Sequence, residues 1–144
     1  SPEAPLIMVG AGTGLSPMIG FLEDRALDGR NGHDVGRVDL FFGCRTEKDF
    51  IYEDAIRGYE RDGMVKLHLG LSGSPGIPKK YVQHSIAEMG AAAADLLMKK
   101  NTHYYVCGDA RMADSCFESC VEPLRNHQTM SRVKVVKHLR DIHW

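Results

Sequence analysis

LIMVGAGTGLSPMIGFLEDR, Leu6 to Arg25, joins an apolar run to an amphipathic segment through glycines at positions 10, 12 and 14. The apolar run Leu6–Val9 predicts a buried strand, and Ser16-Pro17 supplies a hydroxyl N-cap and a first-turn proline for a helix over Ser16–Ala26. A glycine turn between a strand and a helix leaves backbone N–H groups and the positive end of the helix dipole open to an anion, with no Cβ in the way. That makes Gly10, Gly12, Thr13 and Gly14 candidates for a phosphate cradle; a tight turn with close helix–sheet packing is the plainer alternative. Leu15 breaks the full G-x-G-x-x-G pattern, and the absence of Gly-Lys-Ser/Thr argues against a P-loop nucleotide hydrolase.

The same alternation continues along the chain. Val38–Gly43, Val65–Leu71 and His103–Cys107 read as strands, and Tyr52–Asp62, Tyr81–Met89, Ala91–Lys100 and Ala110–His127 as helices. Repeated β-α units require a parallel sheet with helices on both faces, an α/β fold of Rossmann-like type. Arg132–Trp144 is ambiguous, a helix followed by a fifth strand being one reading of it. Its 144 residues, 43% hydrophobic, suit one domain, and a chain opening Ser1-Pro2 reads as a piece of a longer protein.

A formal charge of -1 gives no reason to expect a nucleic-acid or membrane surface, so any anion site must be local. The sequence reads as soluble, with no apolar segment long enough for a membrane span. Cys44, Cys107, Cys116 and Cys120 have no disulfide-framework spacing and fit a reducing, intracellular compartment. Cys116 and Cys120, four apart on one helix face, read as core, and the seven histidines offer no metal-binding cluster.

Four segments in order carry a family resemblance: VGAGTGLSPMIGFLEDR from Val9, FFGCRTEKDFIYEDAI from Phe41, HLGLSGSPGIPKKYVQHSI from His68 and YYVCGDARMADSCFESCV from Tyr104. Together they resemble the NADP(H)-binding domain of the ferredoxin–NADP reductase superfamily, in its diflavin branch, typified by NADPH–cytochrome P450 reductase. The resemblance implies an open five-stranded parallel sheet in a domain spanning residues 1–144, the C-terminal piece of a larger flavoprotein, that binds NADPH and presents its nicotinamide to FAD on a neighbouring domain of the same chain. Electrons then pass through FMN to a separate acceptor protein. It places the domain on the cytoplasmic side, with any membrane anchor of the parent in another segment.

The resemblance also implies roles. Thr13 and the glycines serve the pyrophosphate; Cys44 and Arg45, ending the second strand, lie near the cofactor phosphates, although Arg45 pairing with Asp49 on the surface is a plainer reading. Ser72, Lys79, Tyr81 and Gln83 match the pocket for the adenosine 2′-phosphate, with Tyr81 on the adenine. Gly73 stands where the branch carries an arginine, which predicts weaker preference for NADPH over NADH, since a lysine replaces a bidentate fork only as a point charge. Cys107, Gly108 and Asp109 match the segment beside the nicotinamide. Asp141 and Trp144 match a terminal Asp-apolar-Trp with one residue extra, the ring stacking on flavin and the carboxylate lying at the transfer site. A nucleotide sensor without turnover and a flavodoxin-like interaction domain are the competing classes.

Overall fold

The computed structural model describes residues 3–99, 101–108, 110–127, 131 and 134, the side chains at 13, 14, 110 and 127 excepted. The elements are β1 (Leu6–Ala11), α1 (Ser16–Arg30), β2 (Val38–Cys44), α2 (Glu53–Arg61), β3 (Val65–Leu71), α3 (Val82–Met89), α4 (Ala91–Met98), β4 (His103–Cys107) and α5 (Ala110–His127). All strand pairs are parallel, in the order β3-β2-β1-β4. The described residues thus hold four strands where five were expected; the stretch assigned to the fifth lies almost wholly outside them.

Each face of the sheet has its own core. Leu15, Met18, Ile19 and Leu22 of the first helical segment pack with Met8, Leu40, Phe42 and Ile56. On the other face Val82, Ile86, Leu97, Cys116, Cys120 and Leu124 pack against Val9, Phe41 and Tyr104. Burying both faces explains why β2 is buried along its whole length. Cys116 and Cys120 are core, as expected, and burial pushes each thiol up to about 12. Arg25, also buried, donates to the carbonyls of Gly36 at 3.0 Å and Ala4 at 2.5 Å, tying the entry of β1 to the entry of β2.

Three local expectations are corrected. β1 runs on through Gly10 and Ala11, so Gly10 is a strand residue paired with Phe42 and Cys107 rather than part of a loop. A 3-10 turn over Gly12–Leu15 then runs straight into α1, leaving Ser16 inside the helix with no side-chain cap hydrogen bond at its start. Tyr52 likewise stands outside its helix, as a left-handed N-cap with φ 57°.

The chain lays down β1, β2 and β3 outward in one direction and then crosses back to place β4 on the other side of β1. The winding reverses between β1 and β4, and the carboxyl edge at such a reversal is where open α/β sheets take their ligands.

Candidate functional site: a cationic cleft at the carboxyl edge

A cleft of about 390 Å³ opens over the carboxyl ends of β1, β2 and β3, walled by the first turns of α3 and α5. Gly12, Cys44, Arg45, Ser72, Tyr81 and Gln83, all singled out from the sequence, line it together. The wall also includes Lys80, Arg111, Met112 and Ser115, which sequence reasoning passed over. Among the described lining residues Arg45, Lys80 and Arg111 are cationic and none is acidic; the Lys80 ammonium is paired with Glu88, so Arg45 and Arg111 match the cleft to an anion. Arg111 was findable: two residues past Gly-Asp, it belongs to the first turn of a helix that follows a strand at the carboxyl edge.

Backbone geometry builds this wall. β2 and β3 continue to pair past their ends, the Ser72 N–H donating to Cys44 O at 3.0 Å and the Gly73 N–H to Arg45 O at 2.8 Å. That ladder carries Arg45 and Ser72 to the mouth side by side. The extended stretch before α3 crosses beneath them, where the Lys80 N–H donates to Leu71 O at 2.9 Å. The crossing is so close that a Cβ on Gly70 would lie 2.8 Å from the Lys80 carbonyl oxygen. Tyr81 follows at the start of α3, its N–H donating to His84 Nδ1 at 3.1 Å and its ring edge-on to His84, which leaves the phenol 46% exposed at the cleft.

The remaining sequence candidates divide. Gly12 has φ +57°, a conformation that favours glycine, and the space where its Cβ would stand is open. Thr13 and Gly14 belong to the same turn. Lys79 is exposed and faces a neighbouring groove with Ile77, Pro78 and His84, so the lysine in the cleft is Lys80, whose ammonium meets Glu88 at 2.5 Å. Arg45 does not pair with Asp49, whose carboxylate instead accepts from the Thr46 N–H and hydroxyl at 3.2 and 3.1 Å. Cys44 is buried, and burial, with Asp49 and Glu53 nearby, raises its thiol to about 11, so it is a protonated wall residue.

Cys107 ends β4 beside Gly10 and packs, half-buried, against the α1 side of the sheet; it does not line the cleft. Gly108 makes room for Met112, whose terminal methyl occupies the space a Cβ there would need. Asp109, Asp141 and Trp144 lie outside the described residues. Among the described residues no group of His, Cys, Asp and Glu is arranged to hold a metal, and no helix is long and apolar enough to cross a membrane.

A glycine turn, a cationic cleft and a reversal point in one parallel sheet are what a dinucleotide requires. Residues 8–118 match the family model described as the oxidoreductase NAD-binding domain. The chain belongs to that family. It is 37% identical over 144 residues, 97% of its length, to a bifunctional cytochrome P450/NADPH–P450 reductase 1 of Bacillus subtilis. It is 37% identical over 145 residues to an NADPH–cytochrome P450 reductase of Aspergillus oryzae and over 136 residues to a nitric oxide synthase-like protein of Bombyx mori. The chain spans 14%, 21% and 12% of the length of these three relatives. These matches agree with the resemblance to the NADP(H)-binding domain of diflavin reductases, and make this an oxidoreductase domain.

Proposed function

We propose that the chain binds NADPH with its adenosine half in the cationic cleft, and that it presents the nicotinamide across the reversal point to FAD on a neighbouring domain of the parent protein. The observation that carries this reading is the cleft lining itself, with Arg45 and Arg111 around Gly12, Ser72 and Tyr81 and no carboxylate among the described lining residues. The order of the strands orders the ligand. Gly12 and Arg111, at the β1 and β4 end, serve the pyrophosphate with Thr13 and Gly14, while Ser72, Tyr81 and Gln83, at the β2 and β3 end, serve the adenosine.

When bound, the reduced nicotinamide supplies a hydride and the flavin accepts it. This chain's own residues bind and orient. Tyr81 offers its ring to the adenine, the turn at Gly12–Leu15 gives backbone N–H groups to phosphate, and Cys107 lines the transfer site as a small polarisable wall that does not compete as a base. Asp109, Asp141 and Trp144 keep their assigned places at the nicotinamide and flavin in this reading. Electrons go on through FMN to an acceptor protein, for which a cytochrome P450 is the choice favoured by the names of the relatives. The parent works on the cytoplasmic side, and this domain makes no contact with membrane or nucleic acid. Gly73 favours a second reading, an enzyme that prefers NADH.

The test is to add NADPH to the chain and follow both nicotinamide fluorescence and near-ultraviolet absorbance. Saturable fluorescence change with steady absorbance is expected, because the flavin that would accept the hydride belongs to another domain. Absence of binding, or steady oxidation by this chain alone, contradicts the proposal.

A further inference from the structure

We propose that Arg45 is the residue that selects the 2′-phosphate, its guanidinium reaching from the β2 end over the ground that Gly73 leaves free on the β3 end. This rests on the NADPH reading and names the specificity determinant within it. The juxtaposition is direct. The Gly73 N–H donates to Arg45 O at 2.8 Å, and a Cβ built on Gly73 would lie 3.4 Å from both Cβ and Nε of Arg45. The Arg45 side chain therefore lies in contact with the Gly73 backbone.

The other two cations of the cleft are worse placed for this role. Lys80 is engaged by Glu88 at 2.5 Å. Arg111 stands at the start of α5, after β4, on the side of the cleft that holds the Gly12 turn. Arg45 shares its end of the cleft with the Ser72 and Tyr81 side chains. The 2′-phosphate hangs from the ribose next to the adenine, so with the adenine on Tyr81 it falls among Ser72 and Arg45. Among the described residues no carboxylate pairs with Arg45, whereas Arg37, Arg57 and Arg125 each have one. An exposed guanidinium with a fixed backbone and no internal anion is ready to bind a phosphate by two parallel N–H donors.

The experiment is calorimetric titration of the chain and of Arg45→Ala, Gly73→Arg and the double variant with 2′,5′-ADP and, separately, 5′-AMP, at one fixed salt concentration. The wild-type chain is expected to prefer 2′,5′-ADP. Arg45→Ala should lower that preference by about tenfold or more, in line with loss of a charged hydrogen-bonding pair, while 5′-AMP still binds and so reports an intact fold. The double variant, with its guanidinium supplied from the other strand, should recover much of the preference. Gly73→Arg alone should gain little, since one guanidinium already serves the phosphate. The proposal is overturned if Arg45→Ala keeps the preference, or weakens both ligands by the same factor, which would place Arg45 on the 5′-phosphate. A wild-type chain with no preference overturns the NADPH reading itself, a result the variants cannot mimic.

Discussion

The two ends of β2 carry opposite kinds of charge. At its entry, Asp39 is fully buried, held by Arg37 Nε at 2.6 Å and Nη2 at 2.9 Å and by His68 Nε2 at 2.9 Å, with the His68 ring stacked on Phe41. At its exit, Arg45 stands with Arg111 at a cleft that has no acidic side chain among its described lining residues, while Lys80 beside them is paired with Glu88. The first cluster is complete within the protein and can only hold the fold together. The second is complete only with an anion from outside. The contrast separates structural from functional charge more surely than the identity of any residue, since an arginine is present at both ends.

The largest effect should come from breaking the complete cluster. Asp39→Ala removes the carboxylate that Arg37 and His68 share and should cost about 2–4 kcal/mol in urea unfolding, with ligand affinity retained wherever the protein is folded. The pH dependence has a definite sign. Burial pushes the Asp39 carboxyl up, but the hydrogen bonds from His68 and Arg37 outweigh it and hold it below its ordinary value. Its contribution is therefore present above about pH 4, the unfolded carboxylate value, and is lost as the pH falls through the lowered native one; Asp39→Asn should flatten that acid limb of the stability profile.

Next comes the close crossing beneath the cleft. Gly70→Ala sets a Cβ against the backbone of Lys80 and Tyr81, which cannot swing away as a side chain would. A loss of about 1–3 kcal/mol in stability is expected, together with weaker nucleotide binding as Tyr81 shifts. Tyr81→Ala should leave stability nearly unchanged and cost about 1–2 kcal/mol of binding through lost base stacking; unaltered affinity for 5′-AMP would remove Tyr81 from the adenine. The smallest effect belongs to Cys107→Ala. Lying outside the cleft, it should leave 2′,5′-ADP titrations within about 0.5 kcal/mol of wild type, while slowing flavin reduction in the parent protein. A large change in the titration would merge the two sites that the sheet keeps apart.

Much of this was legible in the sequence, because alternation of apolar strands and amphipathic helices dictates a parallel sheet whatever the loops do. The cleft residues Arg45, Ser72, Tyr81 and Gln83 were legible through the family resemblance, with Arg45 and Ser72 directly after strands and Tyr81 and Gln83 at the start of α3. Glycine misled at Gly10, where it reads as a turn but belongs to a strand flanked on both sides by β2 and β4. Serine misled at Ser16, because the turn that precedes it already runs into the helix. The relation between Arg45 and Gly73 was illegible, since it depends on the register between β2 and β3, and a residue that is missing from its expected position gives no sign of what occupies the space. Lys79 and Lys80 are adjacent, and only the path of the backbone decides which of them lines the cleft.

The central claim is that the uncompensated end of β2 takes the phosphates of NADPH. The most direct measurement is calorimetric titration of the chain with NADPH and with NADH at the same moderate salt concentration, repeated at higher salt. The account predicts clearly tighter binding of NADPH, with an advantage that shrinks as salt screens the cleft. Equal affinities, or an advantage indifferent to salt, would contradict it.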